Sequence, residues 1–242
     1  MMLLNKKDLA ATPLRADACA IIESAYEALD IEKTIARKVC LRGTTLSVAG
    51  ARPTRVDVSR FHRIFIVGVG KDADVATIAL ADVFKNHLTR AIALAVRGTA
   101  RGTRVRPRVE ILYGTHPEPS HTNVQATEKI VSLLSDVDER DFVLFFVGGG
   151  GSSLLCATES ERRAGCAVFP ALTKMGATIE EMNIVRKHLS EVKGGGLARL
   201  TYPASSLSLI VSDVCGNDLD TIASGPTVYD RTTIADALHV LM

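Results

Sequence analysis

Residues 141–147 read DFVLFFV, six consecutive apolar positions behind one aspartate, and Gly148, Gly149, Gly150 and Gly151 follow at once. An uninterrupted apolar run of this length predicts a strand buried on both faces, because a half-exposed strand would alternate in polarity. Shorter apolar runs recur at 64–67 and 91–96, and mostly apolar stretches that also predict short strands at 109–113 and 207–211, each holding one polar residue, Glu110 and Ser208. Elsewhere apolar residues fall three and four apart. That spacing predicts helices at 14–29, 31–39, 123–134 and 179–189, one from the glycine turn after residue 67 to about Phe84, and shorter ones at 152–158 and 169–175. An edge strand is expected at 44–48, a loop at 50–57 around Pro53, and a glycine break at 194–196. A last amphipathic helix is expected over 230–242, with Asp230 as its cap. Strands that alternate with helices and lack polar alternation imply an α/β fold: a doubly wound, mostly parallel sheet with helices on both faces, Rossmann-like.

Sheets of this class bind ligands beyond the carboxyl ends of their strands. Three segments should meet at that edge: the turn Gly68-Val69-Gly70-Lys71, the turn Gly148 to Gly151, and Ser212-Asp213. Without Cβ atoms, Gly148, Gly149, Gly150 and Gly151 leave peptide N–H groups able to line an anion cradle, and Ser152 and Ser153 can cap the helix that follows. Lys71, at a helix start, suits a phosphoryl or carboxylate group. Asp213 can hold Mg²⁺ or take a proton from a substrate hydroxyl. Asn183, Arg186, Lys187 and Ser190 share one face of a predicted helix, and Lys193 with Gly194 to Gly196 extends that polar surface. Each feature also has a plain structural reading: a turn that allows close packing, an exposed first-turn lysine, an Asx turn, or cations that complement a helix C-terminus. His116 and His121, five apart in a proline-rich stretch, form a poor metal pair and read as a rigid loop.

Two nucleotide motifs are tested by the same residues. Gly68 to Ala73 satisfies G-x-G-x-x-[GA], yet the next predicted strand ends at Arg97, where a dinucleotide site would place a ribose-binding acid. No Walker A sequence occurs.

Composition narrows the classes further. The chain has 242 residues, of which 47% are hydrophobic, enough for a full core. Its 29 basic and 27 acidic residues leave a net charge of +2, which argues against a nucleic-acid or polybasic membrane surface. The arginine-rich stretch 97–108 reads as a solvated loop. Five cysteines without a C-x-x-C pair suit neither a disulfide framework nor a zinc site. No apolar run approaches the roughly 18 residues of a membrane span, and the opening MMLLNKKDLA is short for a signal peptide, so a cytoplasmic protein is expected.

Taken in order, GVGK at 68–71, THPEPS at 115–120, GGGSSLL at 149–155, NIVRKHLSEVKGGGLA at 183–198 and SDVCGNDLDTIASGPTVYD at 212–230 resemble the class II glycerate kinases. These are the glycerate 2-kinases with a MOFRL domain, which also carry the name hydroxypyruvate reductase. The resemblance runs from about residue 15 to the end. It implies ATP- and Mg²⁺-dependent phosphorylation of D-glycerate to 2-phosphoglycerate, in a cleft between a Rossmann-like N-terminal domain and a MOFRL domain. By that resemblance Lys71 matches the family's active-site lysine and Asp213 an acid of the same cleft, Arg186, Lys187 and Lys193 its basic helix and turn, and Gly149 to Ser152 its glycine-serine loop. Gly148 stands where the family has serine, Asp72 where it has alanine, and Ser120 where it has aspartate. An acid beside Lys71 would weaken binding of an anion. Family members are nearly twice this long, so residues 1–242 correspond to the N-terminal domain, and the apolar end at Leu241-Met242 fits a chain cut from a larger protein. The expected partners are then D-glycerate and either the C-terminal domain or a second copy. The other two readings are an NAD(P)-dependent hydroxypyruvate reductase and a non-catalytic anion-binding module.

Overall fold

Two strands at the centre of the molecule fix everything around them. β4 (Arg63–Val69) and β7 (Asp141–Val147) pair in parallel over their whole length, from Arg63 opposite Asp141 to Val69 opposite Val147. The computed structural model describes residues 3–97 and 106–242. In chain order, α1 (Lys6–Leu9), α2 (Pro13–Ala28) and α3 (Ile31–Lys38) precede a small antiparallel sheet of β1 (Val39–Arg42), β2 (Thr45–Val48) and β3 (Thr54–Asp57). After β4 come α4 (Ala73–Phe84), β5 (Arg90–Val96), β6 (Val109–Gly114) and α5 (His121–Leu134). β7 is followed by α6 (Gly151–Leu154), α7 (Glu159–Lys174), α8 (Ile179–His188), α9 (Gly196–Thr201), β8 (Ser205–Ile210) and α10 (Ile234–Leu241).

The main sheet has the order β6-β5-β4-β7-β8, with every pair parallel. From β4 the chain moves outward through β5 to β6, then returns and continues outward on the other side through β7 to β8. The reversal makes the gap between β4 and β7 the topological switch point. Side-chain alternation along β4 loads both faces. Ile64 and Ile66 join Leu80 and Phe84 of α4 on one side, where Val39 and Leu46 of the small sheet also pack. Phe65, Val67 and Val69 join Ile130 and Leu134 of α5 on the other. The central runs β4, β5 and β7 are therefore strands covered on two sides, as the pattern predicts, while the edge strands β6 and β8 are only partly buried.

The elements missed or misplaced share one cause: short segments whose fate depends on tertiary packing. The expected edge strand at 44–48 is the middle strand of its sheet, and the expected loop at 50–57 ends in β3. The helix expected at 152–158 shrinks to the four residues of α6, and Thr158 instead caps α7, its side chain accepting from the Glu161 N–H at 3.0 Å. α7 runs unbroken through Pro170, although only 169–175 was expected to be helical. Gly194 and Gly195 do break the chain with positive φ, but Gly196 already begins α9. Thr233, not Asp230, caps the last helix. The arginine-rich stretch lies mostly outside the described residues.

At the amino end of the switch strands, Asp141 is buried and receives Arg63 in a two-pronged ion pair, Nε to Oδ1 at 3.0 Å and Nη2 to Oδ2 at 2.6 Å. The Asp138 N–H also donates to Asp141 Oδ2, at 2.8 Å. Removing the cation strands a carboxylate inside the protein. Arg63→Met should therefore lower stability by roughly 2–3 kcal/mol, less than a fully buried pair because Arg63 is partly solvated. Denaturant unfolding should show an earlier midpoint at unchanged slope. A loss below about 0.5 kcal/mol would mean that the pair does not hold the register.

Candidate active site

The turns that follow β4 and β7 touch. Gly70 has φ 139°, and a Cβ on it would lie 2.9 Å from Cα of Gly148, so no other residue fits this approach. The contact is stitched by backbone hydrogen bonds: the Gly148 N–H donates to the Val69 carbonyl at 2.8 Å, and the Lys71 N–H to the Gly149 carbonyl at 2.9 Å. Gly150, with φ 85°, then turns the chain into α6. The N–H groups of Gly149 and Gly150 make no hydrogen bond to another described residue. Two donors are thus presented at the carboxyl edge of the sheet, where an anion can take them.

Three ionisable side chains ring this turn. Asp213, just beyond β8, places Oδ2 2.1 Å from where a Cβ on Gly149 would sit, so its carboxylate lies directly on the turn. It is exposed and forms no ion pair or hydrogen bond with the described residues. Cγ of Lys71 and Cδ2 of His116 each lie 3.1 Å from the equivalent position on Gly150. Loss of water around its ring, and then the Lys71 charge, push His116 below its ordinary pKa of 6.5. A neutral imidazole and an ammonium thus flank the same glycine. In sequence His116 reads as part of a rigid proline-rich loop, and the signal for its role is its position directly after β6 at the ligand-binding edge.

A second layer supports Ser152, which opens α6 after the turn. Ser224, buried and at φ 60°, holds its Oγ 2.9 Å from Ser152 Oγ and 3.1 Å from Asn183 Oδ1. The same Asn183 oxygen accepts from Arg186 Nη1 at 3.2 Å, and the Arg186 guanidinium lies over the Phe169 ring, 4.5 Å from its centre. Burial disfavours the charged form of Arg186, which has no carboxylate partner among the described residues. The two lysines of the segment stand differently. Lys187 Nζ is buried against Asp230 Oδ1 at 2.8 Å, and Lys193 Nζ is buried against Glu161 and the Leu155 carbonyl. Their charge is already taken up inside the protein.

Gly68 has its own packing reason: a Cβ there would meet Thr77 Oγ1 at 2.2 Å. At the end of β5 stands Arg97, stacked over Tyr113 at 5.2 Å, where a dinucleotide fold would put an acid. Among the described residues no group of three or more His, Cys, Asp or Glu gathers into a metal cage. A single open carboxylate, Asp213, beside unclaimed amides does suit Mg²⁺, which keeps several waters and shares its remaining positions with phosphate oxygens.

Comparison with known proteins places this architecture. A D-glycerate 2-kinase of Thermotoga maritima is 38% identical over 185 residues, covering 74% of this chain and 43% of that protein. A protein of Agrobacterium vitis whose name proposes a hydroxypyruvate reductase is 39% identical over 216 residues, 85% of this chain and 48% of its own. The crystal structure of glycerate kinase from Thermotoga maritima superposes with a TM-score of 0.78 at 32% identity, over 93% of this chain and 50% of that one. The chain thus spans about half the length of the relatives it matches. The α/β fold is shared with a solved glycerate kinase structure, and residues 17–242 match the family described as a domain of unknown function, DUF4147, to which this chain belongs.

Proposed function

We propose that this chain forms the N-terminal, phosphate-handling part of a glycerate 2-kinase, which transfers a phosphoryl group from ATP to the 2-hydroxyl of D-glycerate. The observation that carries this reading is the pair of unclaimed N–H groups on Gly149 and Gly150, set between Lys71 and Asp213 at the switch point. Phosphoryl transfer needs little covalent help from a protein; positioning and charge stabilisation supply most of the acceleration. The turn amides and the Lys71 ammonium supply fixed positive potential for phosphate oxygens. Asp213 offers the carboxylate that would hold a phosphate-bound Mg²⁺, an ion that supplies charge neutralisation when present. His116, kept neutral, has a ring nitrogen able to accept a proton. The Asn183–Ser224–Ser152 network keeps the turn rigid, and Lys187 and Lys193 hold α8 and its following turn against Asp230 and Glu161. The shared ancestry with glycerate kinases about twice as long supports a C-terminal MOFRL domain, or its equivalent, as the other wall of the cleft. A reductase that uses NAD(P) is disfavoured by Arg97 at the end of β5.

Substituting Lys71 by alanine should lower kcat/KM about 10²- to 10³-fold, as expected when one preorganised charge is lost from a transition state. A coupled ADP-release assay with D-glycerate, ATP and Mg²⁺ measures this, on the chain alone and mixed with a relative's C-terminal domain. Unchanged turnover would remove Lys71 from the site. The same neighbourhood makes a spectroscopic prediction. His116 should titrate below 6.5 and therefore stay neutral as pH falls through the range where an unfolded histidine protonates. Stability from this group is then lost as pH drops from the unfolded pKa toward the lower folded one. In Lys71→Met, one of the two causes disappears and the His116 ring should titrate at higher pH by NMR; an unmoved titration would mean that the two side chains do not interact.

A further inference from the structure

Beside the first turn of α6, between α7 and α8, lies a cavity of about 220 Å³. Leu155, Pro119, Phe169 and Pro170 make much of its wall apolar, while Ser152 and Arg186 bring polar groups to it. Its other charges are accounted for. Glu161 and Lys193 neutralise each other as a buried pair, and Glu118 is exposed to solvent at the edge. Glu118 has no ion-pair partner among the described residues either, but it is solvated; Arg186 is the one partly buried charge of the lining without a carboxylate partner among those residues. Its guanidinium has five N–H donors, and among the described residues only one of them finds an acceptor, Asn183 Oδ1. A half-buried cation without a counter-charge is costly, and an incoming anion recovers that cost.

The shape of the space selects among anions. A nucleobase would fill apolar volume but leave the guanidinium unpaired. A triphosphate would carry several charges into a mostly apolar cavity that offers one cation. A carboxylate on a short carbon chain satisfies both constraints, since the planar fork of arginine, already flattened on Phe169, matches a carboxylate with two parallel hydrogen bonds. Asn183 Oδ1 accepts from both Arg186 and Ser224, and the Ser224 and Ser152 hydroxyls are paired, so a hydrogen-bonded network connects this cation to Ser152 in the first turn of α6. Ser152 and Ser153, which follow the glycine turn, also line the cavity, so an acid held at Arg186 would lie beside the segment that leaves the turn.

We propose that the cavity between α7 and α8 is the carboxylate subsite for the acceptor, a small 2-hydroxy acid, with Arg186 as its bidentate partner. This rests on the phosphoryl-transfer reading and refines it: the turn amides and Lys71 serve the phosphates, and Arg186 serves the other substrate.

Calorimetric titration of the 242-residue chain with D-glycerate, with glycerol, and with a non-hydrolysable ATP analogue plus Mg²⁺ tests it. D-glycerate should bind saturably and glycerol, which lacks the carboxylate, should not. Arg186→Met should weaken D-glycerate by about ten-fold or more, in line with the loss of a charge-assisted hydrogen-bond pair, and leave the nucleotide analogue unaffected. Arg186→Lys should fall between. The glycerol comparison needs no substitution, so it stands even where a variant fails to fold. Weakened nucleotide with unchanged D-glycerate would overturn the proposal and return Arg186 to the phosphates. Absence of saturable D-glycerate binding by the unsubstituted chain would overturn it as well, while leaving phosphoryl transfer open if the nucleotide binds. Arg186-dependent D-glycerate binding without any nucleotide binding would support the subsite and count against the kinase reading.

Discussion

The close approach of two glycine turns at the switch point is the constraint on which the rest of the molecule depends. Gly70 and Gly148 meet at a distance that no side chain permits, and the two hydrogen bonds across them exhaust the turn groups that face each other. What remains outward are the N–H groups of Gly149 and Gly150. Register makes this possible. β4 and β7 run in step for seven pairs, and the Arg63–Asp141 pair at their start fixes which residues emerge together at their end. A slip of one residue would invert both faces of a fully buried strand, so the hydrophobic pattern and the ion pair enforce the same alignment.

Charge around the crevice is divided by function. Lys187 and Lys193 are bound to carboxylates inside the protein and serve as struts. Arg186, next to Lys187 in α8, is partly buried without such a partner among the described residues. Asp213 remains open to solvent on the turn itself. Cations spent on folding and cations left for ligands lie within one short stretch of sequence, and only their partners distinguish them. Those partners, Glu161 and Asp230, come from distant positions in the chain.

That distance explains what could be read from the residues beforehand. Continuous apolar runs identified the central strands β4, β5 and β7, because a strand covered on both faces leaves a signature that needs no knowledge of its neighbours, and the partly buried edge strands β6 and β8 were legible as mostly apolar stretches despite Glu110 and Ser208. The small sheet of β1 to β3 escaped, since four-residue strands carry too little periodicity and are stabilised by packing of Val39 and Leu46 on α4. The glycine turns, Lys71 and Asp213 were legible from their places after strands. The division between Arg186 and its neighbouring lysines was not legible, because it depends on ion pairs spanning 32 and 43 positions. His116 was hidden by its surroundings in sequence, where two prolines suggest only a rigid loop; its meaning comes from Gly150 and Lys71, which the fold brings beside it.

The account turns on whether the amides of Gly149 and Gly150 receive the phosphates of a nucleotide. Titrating the isotopically labelled chain with an ATP analogue and Mg²⁺, and following backbone N–H resonances, measures this without requiring turnover. The largest shifts should fall on Gly149, Gly150 and Ser152, with Lys71 following. Saturable binding that leaves these resonances in place, or shifts confined to another surface, would contradict the assignment of the switch-point turn as the phosphate site.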